Sequence, residues 1–388
     1  MLLPRLFLLL VFHSLIASAS AQTAADALTA DLSKLYRKAK LPGFSVAIVT
    51  KDSVWYEQGF GYADIQTGRP YTPQTIQNVG SVSKTVIGVA LMKAVEQGLF
   101  TLDTPINQIL PFRVENPHQP DKAITVRHLA THTSGIIDRP DVYKQSYLFR
   151  TAAGTPPAPA LAQYLRDYLH VEGAAYSAHN FQGYAPGQSY AYSNIGAALA
   201  AYLIEVKSGE SFADYSRKHI LQPLALTASS WAYTEAQAAQ YATNYQELGR
   251  AYPPYSLITY PDGGWRTSCH DLGRYLREIL KGYAGEPSRL LKPASFATML
   301  HGQFTPEQQP LNLDSKEPNA GVFWAIRANQ QIGHTGSDPG TTVLMFFSPT
   351  TGVGKILMVN ADTGKQTSQD IVAAWRLLES YEQRLATR

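Results

Sequence analysis

Apolar residues recur at helical spacing at Leu28, Leu32, Leu35 and Tyr36, so a helix is expected from Ala24 to Lys40, stopped by Leu41-Pro42-Gly43. Phe44 to Val49 then reads as a buried strand and Ser53 to Gly59 as its partner, with Lys51-Asp52 at the turn. Gly80 precedes a long apolar helix from Ser81 to about Gln97, closed by Gly98. From about Thr101 to Tyr255 the pattern changes. Amphipathic helices at Ala160 to Leu169 and Ile195 to Ser208 alternate with irregular stretches rich in Gly, Pro and Tyr, notably Ala152 to Pro159 and Ala174 to Gln188. Strand patterning returns at Val322–Ala328, Gln331–His334, Thr342–Ser348 and Lys355–Asn360, with turns at Asn329-Gln330 and Thr351-Gly352. A final amphipathic helix is expected from Gln366 to about Leu385.

Strands at both ends with a helical middle imply that the two ends of the chain build one sheet together. The expected class is α/β of the α+β type. A mostly antiparallel sheet, flanked by helices, comes from residues 22–100 and 256–388, and residues 101–255 form a mainly helical insertion. Clefts form where such parts meet. Pro and Gly are spread along the chain with no repeat, low-complexity tract or charged linker, which argues against a string of independent domains.

The first 21 residues stand apart. Arg5 gives a positive start, Leu6 to Ile16 is mostly apolar, and Ala19-Ser20-Ala21 matches a small-residue cleavage site. The apolar run is short for a membrane span, so residues 1–21 read as a signal peptide cut after Ala21. The expected location is periplasmic or secreted, with no transmembrane anchor after removal. Arg5 is the only charged residue in this segment, so its loss lowers the formal charge of +3 by one. A nearly neutral chain without a basic block has no footprint for nucleic acid. The single cysteine, Cys269, rules out an internal disulfide and reads as a packing residue rather than a nucleophile.

Three short motifs carry the chemistry. In Ser81-Val82-Ser83-Lys84 the i, i+3 spacing at a helix start places the lysine ammonium over the serine hydroxyl. Serine needs such a base to become a nucleophile, and burial or nearby cations depress a lysine pKa enough to supply one. The helix N-terminus also favours developing negative charge. Tyr192-Ser193-Asn194 follows Pro186-Gly187-Gln188 and precedes an Ala-rich helix. Its tyrosine suits acid–base work beside a lysine, and its Asn194 amide suits placing Lys84 or a substrate carbonyl. His334-Thr335-Gly336 closes an expected strand along which a substrate would lie, and the N–H groups of Ser81 and Ser337 are candidates for an oxyanion hole. Each motif alone equally suits a helix cap, a buried tyrosine with a capping asparagine, or a surface turn.

Other signals are weaker. His128 and His132 have metal-ligand spacing but no acidic partner, and the Thr131-His132-Thr133-Ser134-Gly135 run reads as a helix-ending turn. Gly59-Phe60-Gly61 lacks the third glycine of a dinucleotide loop, and there is no G-x-S-x-G elbow. Trp265-Arg266-Thr267-Ser268, after Gly263-Gly264, suits either a cleft wall or a strand edge. Tyr143, Tyr147, Tyr176 and Tyr184 suit an apolar substrate wall or the packing of the insertion.

Together the motifs, in order and with their flanks, resemble the serine β-lactamase and penicillin-binding-protein superfamily in its class C-like branch. The segments Val79–Thr85, Leu102–Pro105, Ile124–Leu129 and Gly333–Gly340 carry the resemblance, which spans about Leu32 to Ala361. It implies a β-lactamase/transpeptidase-like fold. Ser81 would be the acylated nucleophile, Lys84 its proton partner, and Tyr192 the base that also activates the deacylating water. Asn194 would place substrate and Lys84, and His334, Thr335, Gly336 and Ser337 would bind substrate. No metal or organic cofactor is implied. The departure is His334, where lysine is usual in the branch. A neutral histidine forfeits a charge-assisted contact to a substrate carboxylate, roughly 1.5–3 kcal/mol.

The expectation is therefore an exported serine hydrolase acting on esters, small amides or D-amino-acid peptides. The alternatives are a D-Ala-D-Ala carboxypeptidase or class C-like β-lactamase, and a catalytically idle binding protein of the same fold. The partner is a small-molecule or peptide substrate. No motif speaks to oligomeric state.

Overall fold

The computed structural model describes residues 23–246 and 249–386, and the expected signal peptide lies outside them. Among the described residues twelve strands are present: β1 (Gly43–Val49), β2 (Val54–Asp64), β3 (Arg69–Pro70), β4 (Ile76–Asn78), β5 (Tyr147–Phe149), β6 (Tyr255–Leu257), β7 (Arg266–Ser268), β8 (Asn319–Ala320), β9 (Ala325–Ile326), β10 (Ile332–Asp338), β11 (Thr341–Ser348) and β12 (Val353–Val359). Eight of them form one sheet in the order β3-β2-β1-β12-β11-β10-β9-β8. The central pairing joins the two ends of the chain, β1 running antiparallel to β12 with Val46 opposite Leu357. The expected antiparallel α/β architecture is thus the one observed.

Both faces of the sheet are covered, which is why β1 and β12 are buried at every position and mostly apolar, Ser45 and Lys355 being the exceptions. On one face Val46, Ile48 and Leu357 pack against a helix over 23–36 and against the Lys365–Ala386 helix through Leu28, Leu32, Trp375 and Leu378. On the other, Ala47, Val49, Ile356 and Met358 meet the Cys269–Tyr283 helix through Leu272, Leu276 and Ile279. That helix and the following Pro293–Leu300 helix were absent from the sequence reading.

Two strand expectations change. The run Val322–Ala328 supplies only the two-residue β9, because Phe323 turns into positive φ (58°) and donates its N–H to the Ala130 carbonyl. The strand expected to end at His334 continues to Asp338, so His334-Thr335-Gly336 lies inside β10 rather than at its end. The segment 101–255 holds helices from Val126–Ala130 to Phe212–Ser216, the longest being Asn194–Ser208.

The small β4–β7 ladder matters more than its size suggests. It pairs Asn78 with Arg266, and the Trp265 carbonyl then receives the Val79 N–H (3.0 Å). The run containing Trp265-Arg266-Thr267-Ser268 is therefore the strand that sets the turn carrying Ser81.

Candidate active site

Ser81 sits in a single 3-10 turn, Gly80–Val82, that leads into the Ser83–Glu96 α-helix. The α-helix starts two residues later than expected, yet the i, i+3 stacking survives. Asn78 Oδ1 accepts the Gly80 N–H (2.6 Å), and Gly80 takes positive φ (52°), a conformation glycine adopts without steric cost. Trp265 N–H donates to Ser83 Oγ (3.1 Å) and pins the first turn.

Lys84 is fully buried and its Nζ touches three groups. They are Ser81 Oγ at 3.0 Å, Asn194 Oδ1 at 2.7 Å and the Asp262 main-chain oxygen at 2.7 Å. Burial pushes the lysine pKa down, while the carboxylates of Asp262, Asp338 and Asp138 oppose the fall.

The Tyr192–Asn194 motif is organised by a residue the sequence did not single out. Asp138 takes the Ser193 hydroxyl (2.8 Å) and the N–H groups of Asn194 (2.8 Å) and Ile195 (3.0 Å). Ser193, not Asn194, is the N-cap of the Asn194–Ser208 helix, accepting from Gly196 N–H (2.9 Å). The asparagine side chain is thereby released to hold Lys84. Tyr192 lies beside the pair, its ring centroid 4.9 Å from Lys84 Nζ. Its phenol is pushed well above 10 by burial, with a hydrogen bond to Ser81 pulling the other way and Asp262, Asp138 and Asp338 adding to the rise. The residue is 39% exposed to the cleft, so water screens part of that penalty.

β10 packs edge-on against the nucleophile turn. A Cβ on Gly336 would lie 2.0 Å from the Val79 oxygen and 3.3 Å from Ser81 N, and one on Gly80 would lie 2.8 Å from Ser337 N. Only glycine permits this approach, and it brings the Ser81 and Ser337 N–H groups side by side. His334 is buried and donates from Nδ1 to the Thr335 carbonyl (2.5 Å), which leaves Nε2 as an acceptor. Burial, then Lys84, pushes its pKa down to about 4, so the ring is neutral at pH 7.

The cleft in front of Ser81 holds about 370 Å³ and is lined by Tyr190, Tyr192, His132, Phe323, His334 and Thr335 among others. Among the described residues neither lysine nor arginine lines it. His132 was read as part of a helix-ending turn. It does leave the Val126–Ala130 helix, at φ 55°, but its ring stacks on Tyr192 with centroids 4.4 Å apart. Its Nδ1 accepts the Ser193 N–H (3.2 Å), which puts the proton of the neutral ring on Nε2. His128 instead closes a capping box with Thr125.

The aromatic wall is made differently from the expectation. Tyr143 and Tyr147 do not line the cleft; their hydroxyls bond Asp262 (2.9 Å) and Asp338 behind Lys84. Tyr176 and Tyr184 line other surface hollows. Burial raises Asp262 to about 7, Lys84 opposing, and raises Asp338 to about 6, Tyr147 and Lys84 opposing. Cys269 is buried at the start of its helix and burial pushes its thiol up, as suits packing.

The chain is similar to known proteins over most of its length. Protein flp of Staphylococcus aureus (strain COL) is 22% identical over 337 residues, 84% of this chain and 61% of the relative. The chain thus spans about three-fifths of that protein. A Beta-lactamase of Escherichia coli (strain K12) is 25% identical over 96% of this chain and 98% of its own length. Among solved structures, the octameric penicillin-binding protein homologue from Pyrococcus abyssi superposes with a TM-score of 0.74 at 25% identity, covering 92% of this chain and 77% of that one. A family model described as Beta-lactamase matches residues 23–379, and with the sheet, the Ser81–Lys84 pair and the β10 edge in place, the chain belongs to this β-lactamase and penicillin-binding-protein-like serine hydrolase family.

Proposed function

We propose that this protein is an exported serine hydrolase that works through an acyl-enzyme at Ser81 on esters, small amides or D-amino-acid peptides. The carrying observation is the hydrogen-bond inventory of Lys84. A neutral lysine has two N–H donors and one lone pair. Asn194 Oδ1 and the Asp262 carbonyl are both acceptors and hold the shorter contacts, 2.7 Å each, so they take both donors. The lone pair then faces the Ser81 hydroxyl at 3.0 Å.

In acylation, Ser81 Oγ attacks the acyl carbon as its proton passes to Lys84, and the N–H groups of Ser81 and Ser337 hold the oxyanion. Tyr192, protonated at rest, gives its proton to the leaving group, and the new Lys84 ammonium stabilises the phenolate. In deacylation the phenolate takes a proton from water, which attacks the acyl carbon. Lys84 returns a proton to Ser81 Oγ as the acid leaves. Asn194 holds Lys84 throughout and offers its amide N–H to a substrate carbonyl.

Neutral His334 and a cleft without lysine or arginine disfavour substrates anchored by a carboxylate. This ranks simple esters and amides above β-lactams and D-Ala-D-Ala peptides. Intact-mass measurement after incubation with an activated neutral ester tests the reading. A single acyl adduct is expected in the parent protein and none in Ser81→Ala. Equal labelling of both sinks the assignment, and no adduct from any ester, amide or lactam leaves a binding protein of the same fold.

A further inference from the structure

A second cavity lies behind the turn that carries Ser81. It measures about 160 Å³ and shares no lining residue with the Ser81 cleft. Its floor is the β4–β7 ladder, where Asn78 and Arg266 sit opposite one another. Arg69 and Tyr255 complete the polar wall.

Every one of these four residues presents a donor without a matching acceptor charge. Arg266 is 4% exposed, and two of its five N–H groups are engaged, by the Gly264 and Tyr255 carbonyls. Arg69 donates to the Tyr241 carbonyl (2.5 Å). Neither guanidinium is among the arginines that form ion pairs in the described residues. Asp64, the one carboxylate on the wall, accepts the N–H groups of Gln66 (2.8 Å) and Thr67 (3.2 Å) at Oδ1 and the Thr243 hydroxyl (3.3 Å) at Oδ2. Asn78 and Tyr255 are each 3% exposed. The Asn78 Oδ1 bond to Gly80 fixes its amide so that Nδ2 points elsewhere, and Nδ2 has no partner. The Tyr255 hydroxyl faces the Asn244 side chain without closing a hydrogen bond. Buried donors are nearly always paired, so the unpartnered Asn78 amide and Tyr255 hydroxyl, beside two guanidiniums with N–H groups to spare, mark a wall suited to an acceptor.

We infer that this cavity binds a small organic carboxylate, its acid group between Arg69 and Arg266 and its apolar body against the tyrosines. The fork geometry of guanidinium matches a carboxylate. Beside polar Gln77, Thr243 and Asn244, one side of the wall is aromatic and apolar: Tyr233 stacks on Tyr241 at 4.8 Å, and Pro253 and Pro254 close it. A bare inorganic oxyanion would leave that wall unfilled, whereas a cavity of about 150 Å³ takes a molecule the size of benzene. Burial pushes the Arg266 pKa down, with Tyr255, Tyr241 and the Asp338 carboxylate only partly opposing the fall, and a bound anion adds to that opposition.

Calorimetric titration of benzoate into the full chain tests the assignment, with inorganic phosphate as the competing arm. Benzoate is expected to bind the parent protein and the Ser81→Ala variant alike, so the result is independent of any reaction at Ser81. Arg69→Ala is expected to weaken binding at least about tenfold, as loss of a charge-assisted contact does. Ala238→Trp, which fills the cavity from its short 3-10 turn, is expected to abolish it. Unfolding curves that match the parent establish that both variants are folded. No benzoate binding, unchanged affinity in both variants, or tighter binding of phosphate than of benzoate would each overturn the inference. So would loss of binding in Ser81→Ala, which would place benzoate in the catalytic cleft.

Discussion

Replacing Asp138 by alanine removes an acceptor that holds three donors at the start of the Asn194–Ser208 helix. Charge-assisted bonds contribute about 1.5–3 kcal/mol each, an upper limit that water reduces here because Asp138 is half-buried. The lower limit is set by helix capping, about 1–2 kcal/mol, plus a carboxylate at a helix N-terminus, up to about 2 kcal/mol. A loss of about 3 kcal/mol in unfolding free energy is expected, read from urea titrations. The chemical consequence is larger than the stability one. Asn194 Oδ1 fixes Lys84 and the neighbouring Tyr192 faces the same site, so a shift of the helix start moves both groups relative to Ser81. A displacement of about 1 Å costs on the order of 100-fold in rate. Stopped-flow acylation by an activated neutral ester is therefore expected to slow by about 10- to 100-fold. Asp141→Ala is the control, since that carboxylate is 62% exposed and pairs only with Arg139. A stability loss below about 0.5 kcal/mol, or acylation within about twofold of the parent, would refute the argument.

Asp262→Asn removes a carboxylate that supports the charge on Lys84, so the lysine pKa falls and the acid limb of the acylation profile moves to lower pH; a limb that stays put contradicts this. Asp262 titrates near 7 when folded against about 3.9 unfolded, so its contribution to stability is complete below pH 4 and is lost as pH rises through 7. The same variant should flatten that decline in urea titrations. His334→Lys restores a cation to the cleft and should raise kcat/KM for a carboxylate-bearing ester over its neutral counterpart by about 10- to 100-fold. An unchanged ratio would mean that His334 does not govern this selectivity. Gly336→Ala places a methyl 2.0 Å from the Val79 oxygen, so β10 must move away from Ser81; acylation should nearly vanish, and near-parental rates would disprove the close approach.

The sheet was legible because its strands obey local rules. β1, β11 and β12 are short apolar runs bounded by turns, and pairing the two ends of the chain follows from where those runs lie. The Ser81–Lys84 pair was equally legible, since three residues along a helix start place both side chains together whatever surrounds them. The Cys269–Tyr283 helix was missed although its burial is one-sided, because Gly, Arg and His interrupt its apolar stripe. Val322–Trp324 misled in the opposite sense. Its three apolar residues are buried in the core, and the positive φ of Phe323 breaks the strand that their hydrophobicity suggested.

The sequence by itself determined which residue types stand together for the proposed chemistry, through fixed short spacing: Ser81 with Lys84, Tyr192 with Asn194, and glycines where backbones touch. Tertiary structure alone decided the groups that tune those residues. Asp138 reaches Asn194 from 56 positions away, the Asp262 carbonyl reaches Lys84 from 178, and Tyr147 reaches Asp338 from 191. No local pattern encodes such partners. A buried charge is compensated by whatever the fold brings within a few ångströms, and that depends on how the insertion docks against the sheet. The neutrality of His334 has the same origin, since it comes from burial and from Lys84 across the cleft.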